Sequence, residues 1–309
     1  MLQKQPSRRA DGLSVDKNHW VHIIRIQTIK GAAPVSYHRP TDLASALSLA
    51  SEAGHVRIAG GTDVFPAKRQ GQGFGSLLDL TAVRELAGIE HTEKAIRLGA
   101  SLSWSDVIKA DLPPAFDGLK QAARQVGSVQ IQNRATLAGN LCNASPAADG
   151  VPPLLTLNTE VEVASAGRGT RLVPLDAFIL GVRKTALEPD EIVTALVVPR
   201  PPQDAGSCFQ KLGSRRYLVI SIAMVSALVV KDASGRITDA RIAVGACSAV
   251  AQRLRRLEVS CIGKRPEDIT VTADHLTDLT PIDDVRGSAD YRRDAVAALC
   301  LRALEGAMV

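Results

Sequence analysis

The sequence predicts an α+β fold in two parts, and three observations carry that reading. Helical periodicity is confined to a few capped segments, while a strict apolar/polar alternation sets in at Val161. A proline-rich stretch, "PRPPQDAG" (199–206), interrupts the chain near residue 203. Strands and helices are mixed without a regular βαβ period, and no internal repeat is present.

Taken in order, "PTDLASALSLASEAG" (40–54) predicts a helix. Thr41 is its expected N-cap, with Asp42 in the first turn, and Leu43, Ala46, Leu47 and Ala50 share one face before Gly54 stops it. A strand follows at Val56–Ala59, running into Gly60 and Gly61, with further strands at 77–80 and 95–100. "SWSD" (103–106) has the spacing of a capping box. "DGLKQAARQVG" (117–127) places Leu119, Ala122, Ala123 and Val126 on one helical face and ends at a glycine. From "TEVEVASAGRGTRLVPL" (159–175) the period is two, with a hairpin turn at Gly167–Gly169. "EIVTALVVP" adds a strand, and "SALVVKDASGRITDARIAVGAC" (226–247) a second hairpin turning at Asp232–Gly235. "YRRDAVAALCLRALEGA" (291–307) closes the chain as a helix, with Val296, Leu299, Cys300 and Ala303 on one side.

Composition excludes several classes. Aromatic residues are 3% of the 309, too few for the stacking platforms that hold single-stranded nucleic acid. The net charge of +5 is concentrated in residues 1–33, where six Lys and Arg stand against two Asp, so the remaining body is near neutral. Such a leader reads as a solvated tail rather than a nucleic-acid face. It contains no apolar run of the kind a secretory signal needs, and "YLVISIAMVSALVV" (217–230) is too short to span a membrane. The five cysteines are widely and irregularly spaced, with no C-x-x-C, which signals neither zinc nor an iron–sulfur cluster. The expectation is reduced, mostly buried thiols in a cytoplasmic protein without a metal of its own. His38, His55, His91 and His275 show no ligand spacing.

Two donor-rich turns stand out. In "RIAGGTDV" (57–64), Gly60 and Gly61 allow successive backbone N–H groups to converge on an anion, with the Thr62 hydroxyl beside them. The same residues also suit an ordinary turn after a strand. In "TLAGNLCNASPAAD" (136–149), Thr136, Gly139 and Asn140 form a second cluster, followed by Asp149. Its plainer reading is a loop leading into a helix at Pro152-Pro153, capped by Asn143 or Ser145. Neither G-x-G-x-x-G nor a P-loop is present. Two such turns suit a ligand with two phosphates and polar arms.

"RIAGGTDV" with "QIQNRATLAGNLCNASPAAD" (130–149) resembles the paired flavin motifs of the FAD-binding medium subunit of molybdenum hydroxylases, the xanthine dehydrogenase and carbon monoxide dehydrogenase family. The likeness continues through 168–193, "FQKLGSRR" (209–216) and "PIDDVRGSADYRR" (281–293), covering roughly 34–306. It implies a two-lobed FAD-binding domain of the PCMH (vanillyl-alcohol-oxidase-like) type over 34–202. A smaller α+β C-terminal domain with an antiparallel sheet and helices would follow over 203–309, and 1–33 would be a leader.

By the same resemblance, Ile58, Ala59, Gly60, Gly61, Thr62 and Asp63 wrap the FAD pyrophosphate. Thr136, Leu137, Ala138, Gly139 and Asn140 hold the other side of the dinucleotide. Asp149 bonds the polar middle or adenosine side, Leu98 and Val193 contact the cofactor through backbone or apolar surface, and Lys211 lies near the isoalloxazine. FAD is expected to be non-covalent, and Cys142 to be packing rather than redox-active. Molybdopterin and [2Fe–2S] clusters are expected on large and small partner subunits, with NAD or another acceptor taking electrons onward. The residues leave open a stand-alone flavin oxidase acting on its own substrate, and a scaffold without cofactor. Arg183, Lys184, Arg215 and Arg216 read as solvated or partner-facing charges, and Asp283, Asp284 and Arg286 as a loop brace before the last helix.

Overall fold

The computed structural model describes residues 36–67, 75–216 and 218–308. The leader expected over 1–33 lies outside the described residues. A small parallel sheet comes first, with strand Ser76–Asp79 between Tyr37–His38 and His55–Ile58. The helix Leu43–Ser51 connects the outer two and buries Ala46 and Ala50. Its N-cap is Asp42, whose carboxylate accepts from the Ser45 N–H at 2.9 Å, so the cap falls one residue later than the expected Thr41. The carboxylate reaches two donors there, the amide and the hydroxyl of Ser45. The helix stops at Ser51, ahead of Gly54, whose φ of +91° makes the turn into the next strand.

An antiparallel sheet of five strands carries most of the first lobes. Its order is Ile89–His91, Ala95–Gly99, Ile192–Pro199, Glu160–Ser165 and Gly169–Pro174. Val161 and Val163 point into the core while Glu160 and Glu162 stay half-buried, as the period of two demands. Ser103 and Asp106 do form a capping box, opening the helix Trp104–Lys109. The helix Asp117–Gln125 buries Leu119, Ala122 and Ala123 on the expected face. Fully burying each leucine of this kind is worth about 2 kcal/mol.

The C-terminal sheet is antiparallel, ordered Gly206–Leu212, Ala223–Lys231, Ile237–Gly245 and Gln252–Arg253. Within the long apolar run, the strand begins at Ala223, and the hairpin turns at Asp232–Gly235 through an Asp232 carboxylate that accepts from the amides of Ser234 and Arg236. The helix Ala289–Ala307 packs on this sheet through Val296, Leu299, Cys300, Ala303, Leu304 and Ala307, the i, i+3, i+4 stripe of an amphipathic helix. Asp283 accepts from the Ala289 N–H and Asp284 pairs with Arg286 and Arg292, so these residues brace the start of that helix as expected. Among the described residues, no helix is long and apolar enough to cross a membrane.

One ion pair fixes the segment before strand Ile192–Pro199. Arg171 grips the Glu191 carboxylate with two N–H donors at 2.8 Å each, and the Glu188 N–H adds a third bond. The Arg171 guanidinium thereby holds the Glu191 carboxyl down at about 2, below its ordinary 4.5. A folded value below the unfolded one means that the stabilisation is present above pH ~4.5 and is lost as pH falls toward ~2. Glu191→Gln is expected to cost about 1–3 kcal/mol at neutral pH, and its thermal midpoint is expected to converge on wild type as the pH falls toward ~2–3. Parallel midpoints across that range, measured by circular dichroism, would remove Glu191 from the acid response.

Candidate functional site

The strand His55–Ile58 runs straight into Gly60 and Gly61, and the second turn comes back to meet it. A Cβ on Gly60 would overlap the carbonyl of Arg134, and one on Gly61, at φ +72°, would strike the Phe65 ring. Glycine is therefore required at 60 by chain-to-chain contact within the protein. The stretch 134–137 is held from its other side too: Trp104 N–H donates to Ala135 at 3.2 Å and Leu137 N–H to Leu102 at 3.0 Å.

Thr136 then caps a one-and-a-half-turn helix, Leu137–Cys142, by accepting from the Gly139 N–H at 3.0 Å. That amide is used within the protein, so Gly139 is not a free donor of the cluster. Asn143 spans the two turns, its Nδ2 donating to Asp63 at 2.8 Å. Asn140 accepts from the Gly150 N–H at 3.3 Å, and Pro152 and Pro153 stand in the first turn of the helix Val151–Thr156. Its N-cap is Gly150, without a side-chain bond, so neither Asn143 nor Ser145 caps it; Asn143 ends the preceding helix instead.

Two cavities flank this junction. The larger, about 410 Å³, is walled by Gly60–Asp63, Trp104, Asn140 and Asn143. The smaller, about 150 Å³, is apolar, walled by Ile58, Leu80, Leu86, Ala138, Ile192 and Val193. Arg57, Ala59, Thr136, Gly139 and Cys142 line both. Of the expected site residues, 58–63, Thr136, Ala138–Asn140 and Val193 thus come together. Leu98 and Leu137 do not, since both are fully buried in the core.

Asp149 and Lys211 line neither cavity and are paired with each other, Nζ to Oδ2 at 2.6 Å, with side chains 9% and 6% exposed. Ser221 donates its hydroxyl to the second Asp149 oxygen at 2.6 Å. Burial pushes the Asp149 carboxyl up against the pull of Lys211 and Ser221.

Three wall residues were missed or misread in the sequence. Cys142 is exposed where it lines both cavities, while the other four thiols are buried, and the desolvation around it pushes its thiol up to about 12. Arg57 and Trp104 each contribute a buried N–H, Nε and Nε1, without a partner among the described residues. The available signals were a lone cation within the short strand, and a tryptophan in a chain with only two. Among the described residues, no group of three or more His, Cys, Asp or Glu is placed to hold a metal ion.

Comparison with known proteins supplies the context. A family model described as the FAD binding domain in molybdopterin dehydrogenase matches residues 32–201, and the CO dehydrogenase flavoprotein C-terminal domain matches 209–307. A putative xanthine dehydrogenase FAD-binding subunit of Escherichia coli (strain K12) is 28% identical, covering 88% of this chain and 96% of that protein. The nicotine 6-hydroxylase medium subunit of Paenarthrobacter nicotinovorans is 30% identical over 91% of this chain and 98% of its own length. The solved carbon monoxide dehydrogenase of Hydrogenophaga pseudoflava that lacks the Mo-pyranopterin moiety superposes with a TM-score of 0.79 at 25% identity, covering 88% of this chain and 96% of that one.

Two outcomes follow from the packing. Gly60→Ala is expected to destabilise by about 2–4 kcal/mol, because backbone cannot yield to the new methyl group. Gly167→Ala, with open space around it, is expected to stay within about 0.5 kcal/mol in denaturant titrations. Lys211→Met is expected to cost about 3–5 kcal/mol by stranding Asp149, and adding Asp149→Asn to recover part of that loss. Strictly additive single and double variants would mean that the pair is not coupled.

Proposed function

The chain belongs to the FAD-binding medium subunits of the xanthine and carbon monoxide dehydrogenase family, oxidoreductase components of molybdenum hydroxylases, and we propose that it is their electron exit. In this reading it takes electrons from the [2Fe–2S] clusters of a small partner subunit, substrate having been oxidised at molybdopterin on a large one. It passes them to NAD or another acceptor. The observation that carries the proposal is the pair of cavities meeting at the two glycine-bearing turns, one polar and one apolar, with unpartnered buried N–H donors in the wall. An elongated dinucleotide has that distribution of chemistry, and the family's cofactor is FAD.

FAD, when bound, exchanges electrons singly or in pairs, which suits a junction between one- and two-electron carriers. The rest is the work of this chain's residues. Backbone N–H groups of 60–63 and the Thr62 hydroxyl would hold the pyrophosphate, and Thr136, Gly139 and Asn140 would close the opposite wall. Ile58, Ala138 and Val193 exclude water from a ring in the apolar cavity. Lys211 and Asp149 are positioning residues: their pair anchors the loop that carries Asn143. The division into 34–202 and 203–309 belongs to the same proposal. The subunit reading is supported because the chain spans nearly the whole length of relatives that are themselves named as subunits or medium chains. A stand-alone flavin oxidase is not favoured.

Acid precipitation is expected to release yellow flavin into the supernatant, whereas flavin retained in the pellet would contradict non-covalent binding. The isolated chain, reduced anaerobically with dithionite, is expected to be reoxidised far faster by one of NAD⁺, a quinone or O₂ than by the others. It is expected not to be bleached by purine or aldehyde substrates. Substrate-driven bleaching without other subunits would overturn the relay and restore the oxidase.

A further inference from the structure

Among the described residues, Arg57 is the single cation lining either cavity, and it lines both. Its side chain is half-buried in strand His55–Ile58, where Nη2 donates to the Ala50 carbonyl at 3.2 Å and also to the Pro189 carbonyl. Nε is buried with no partner, and no carboxylate pairs with the guanidinium among the described residues. Both carboxylates that share its cavities are engaged elsewhere: Asp63 accepts from Asn143, and Glu191 is gripped by Arg171. A positive charge withdrawn from water and left without an anion is costly. Neutral carbonyls satisfy its donors in part, and Asp190, the carboxylate whose charge reaches it, is itself paired with Arg168 at 2.6 Å.

On the FAD-binding reading above, we infer that Arg57 is the counter-charge for the cofactor's pyrophosphate, set in the partition between the two cavities. Its place fits the middle of a molecule whose two ends occupy opposite cavities. The guanidinium offers planar, charge-assisted donors to phosphate oxygens, a geometry that a lysine reproduces only as a point charge. The bonds to Ala50 and Pro189 fix its position, and through Pro189 it also ties down the 187–191 wall of the apolar cavity. Arg57 therefore belongs to the binding machinery, although the resemblance assigns roles in the first glycine turn only from Ile58 onward.

The test uses the apoprotein of the full chain carrying Trp20→Phe, which leaves Trp104 in the cavity wall as the only tryptophan. Quenching of its fluorescence by added FAD reads binding without reference to turnover. In this parent, Arg57→Gln is expected to raise the FAD dissociation constant about ten- to a hundred-fold and Arg57→Lys by less than about ten-fold. Raising KCl from about 50 to about 500 mM is expected to weaken FAD binding several-fold in the parent and much less in Arg57→Gln. Equal losses in the Gln and Lys variants would show that the carbonyl tether matters and the charge does not. Unchanged affinity in Arg57→Gln would dismiss the residue altogether. Should Arg57→Gln fail to fold, the parent alone decides, since salt-independent binding contradicts a charge pairing. A parent that takes no FAD at all would instead overturn the functional reading on which this inference rests.

Discussion

Two charges shut away from water, Asp149 and Lys211, impose their geometry on everything around the cavities. Neither tolerates burial alone, so the loop 143–149 has to meet the C-terminal sheet, and Ser221 has to supply the remaining hydrogen bond. The loop is consequently pinned at several points. Its Ala144 carbonyl accepts from Arg183 N–H at 2.9 Å and its Pro146 carbonyl from Ala246 N–H at 2.9 Å. Ala144, Arg183 and Ala246 all adopt left-handed backbone, at φ 44°, 58° and 62°. Such conformations cost non-glycine residues about 1–2 kcal/mol each and persist only where their surroundings over-determine them. Three in one contact set show how strongly the pair and its loop dictate local structure.

Much of the fold was legible because its signals are local. The helix 117–125, the hairpins at 167–169 and 232–235, and the capping box at Ser103 each rest on spacing within a dozen residues. The parallel sheet was not legible: Tyr37–His38 is two residues long and has no period to detect, and its pairing with Ser76–Asp79 is non-local. The cap at Asp42 rather than Thr41 turns on which side chain reaches the Ser45 amide, a matter of one torsion.

The candidate site divides along the same line. The glycine turns were visible as motifs, yet the reason for Gly60 was not, because the Arg134 carbonyl that forbids a side chain lies over seventy positions away. Leu98 and Leu137 belong to the matched pattern but are turned into the core, where an alternating strand and a capped helix oblige them to be. Arg57 and Cys142 became recognisable only once two cavities were seen to share a wall.

The cavities are assembled from stretches far apart in the chain, among them 57–64, 100–104, 135–143 and 187–193. Their contacts reach far along the sequence, 80 positions from Asp63 to Asn143 and 132 from Arg57 to Pro189. Chain closures of that span form after local hairpins and helices, since each must overcome the entropy of the intervening loop before any contact repays it. On a ribosome the order is stricter still. The first glycine turn emerges early but has nothing to close against until the strand through Val193 has followed, and the buried pair waits for Lys211 and Ser221. Both cavities therefore stay open until the strand through Val193 has joined its sheet, and the loop behind them stays unpinned until the C-terminal sheet supplies the other half of the buried pair.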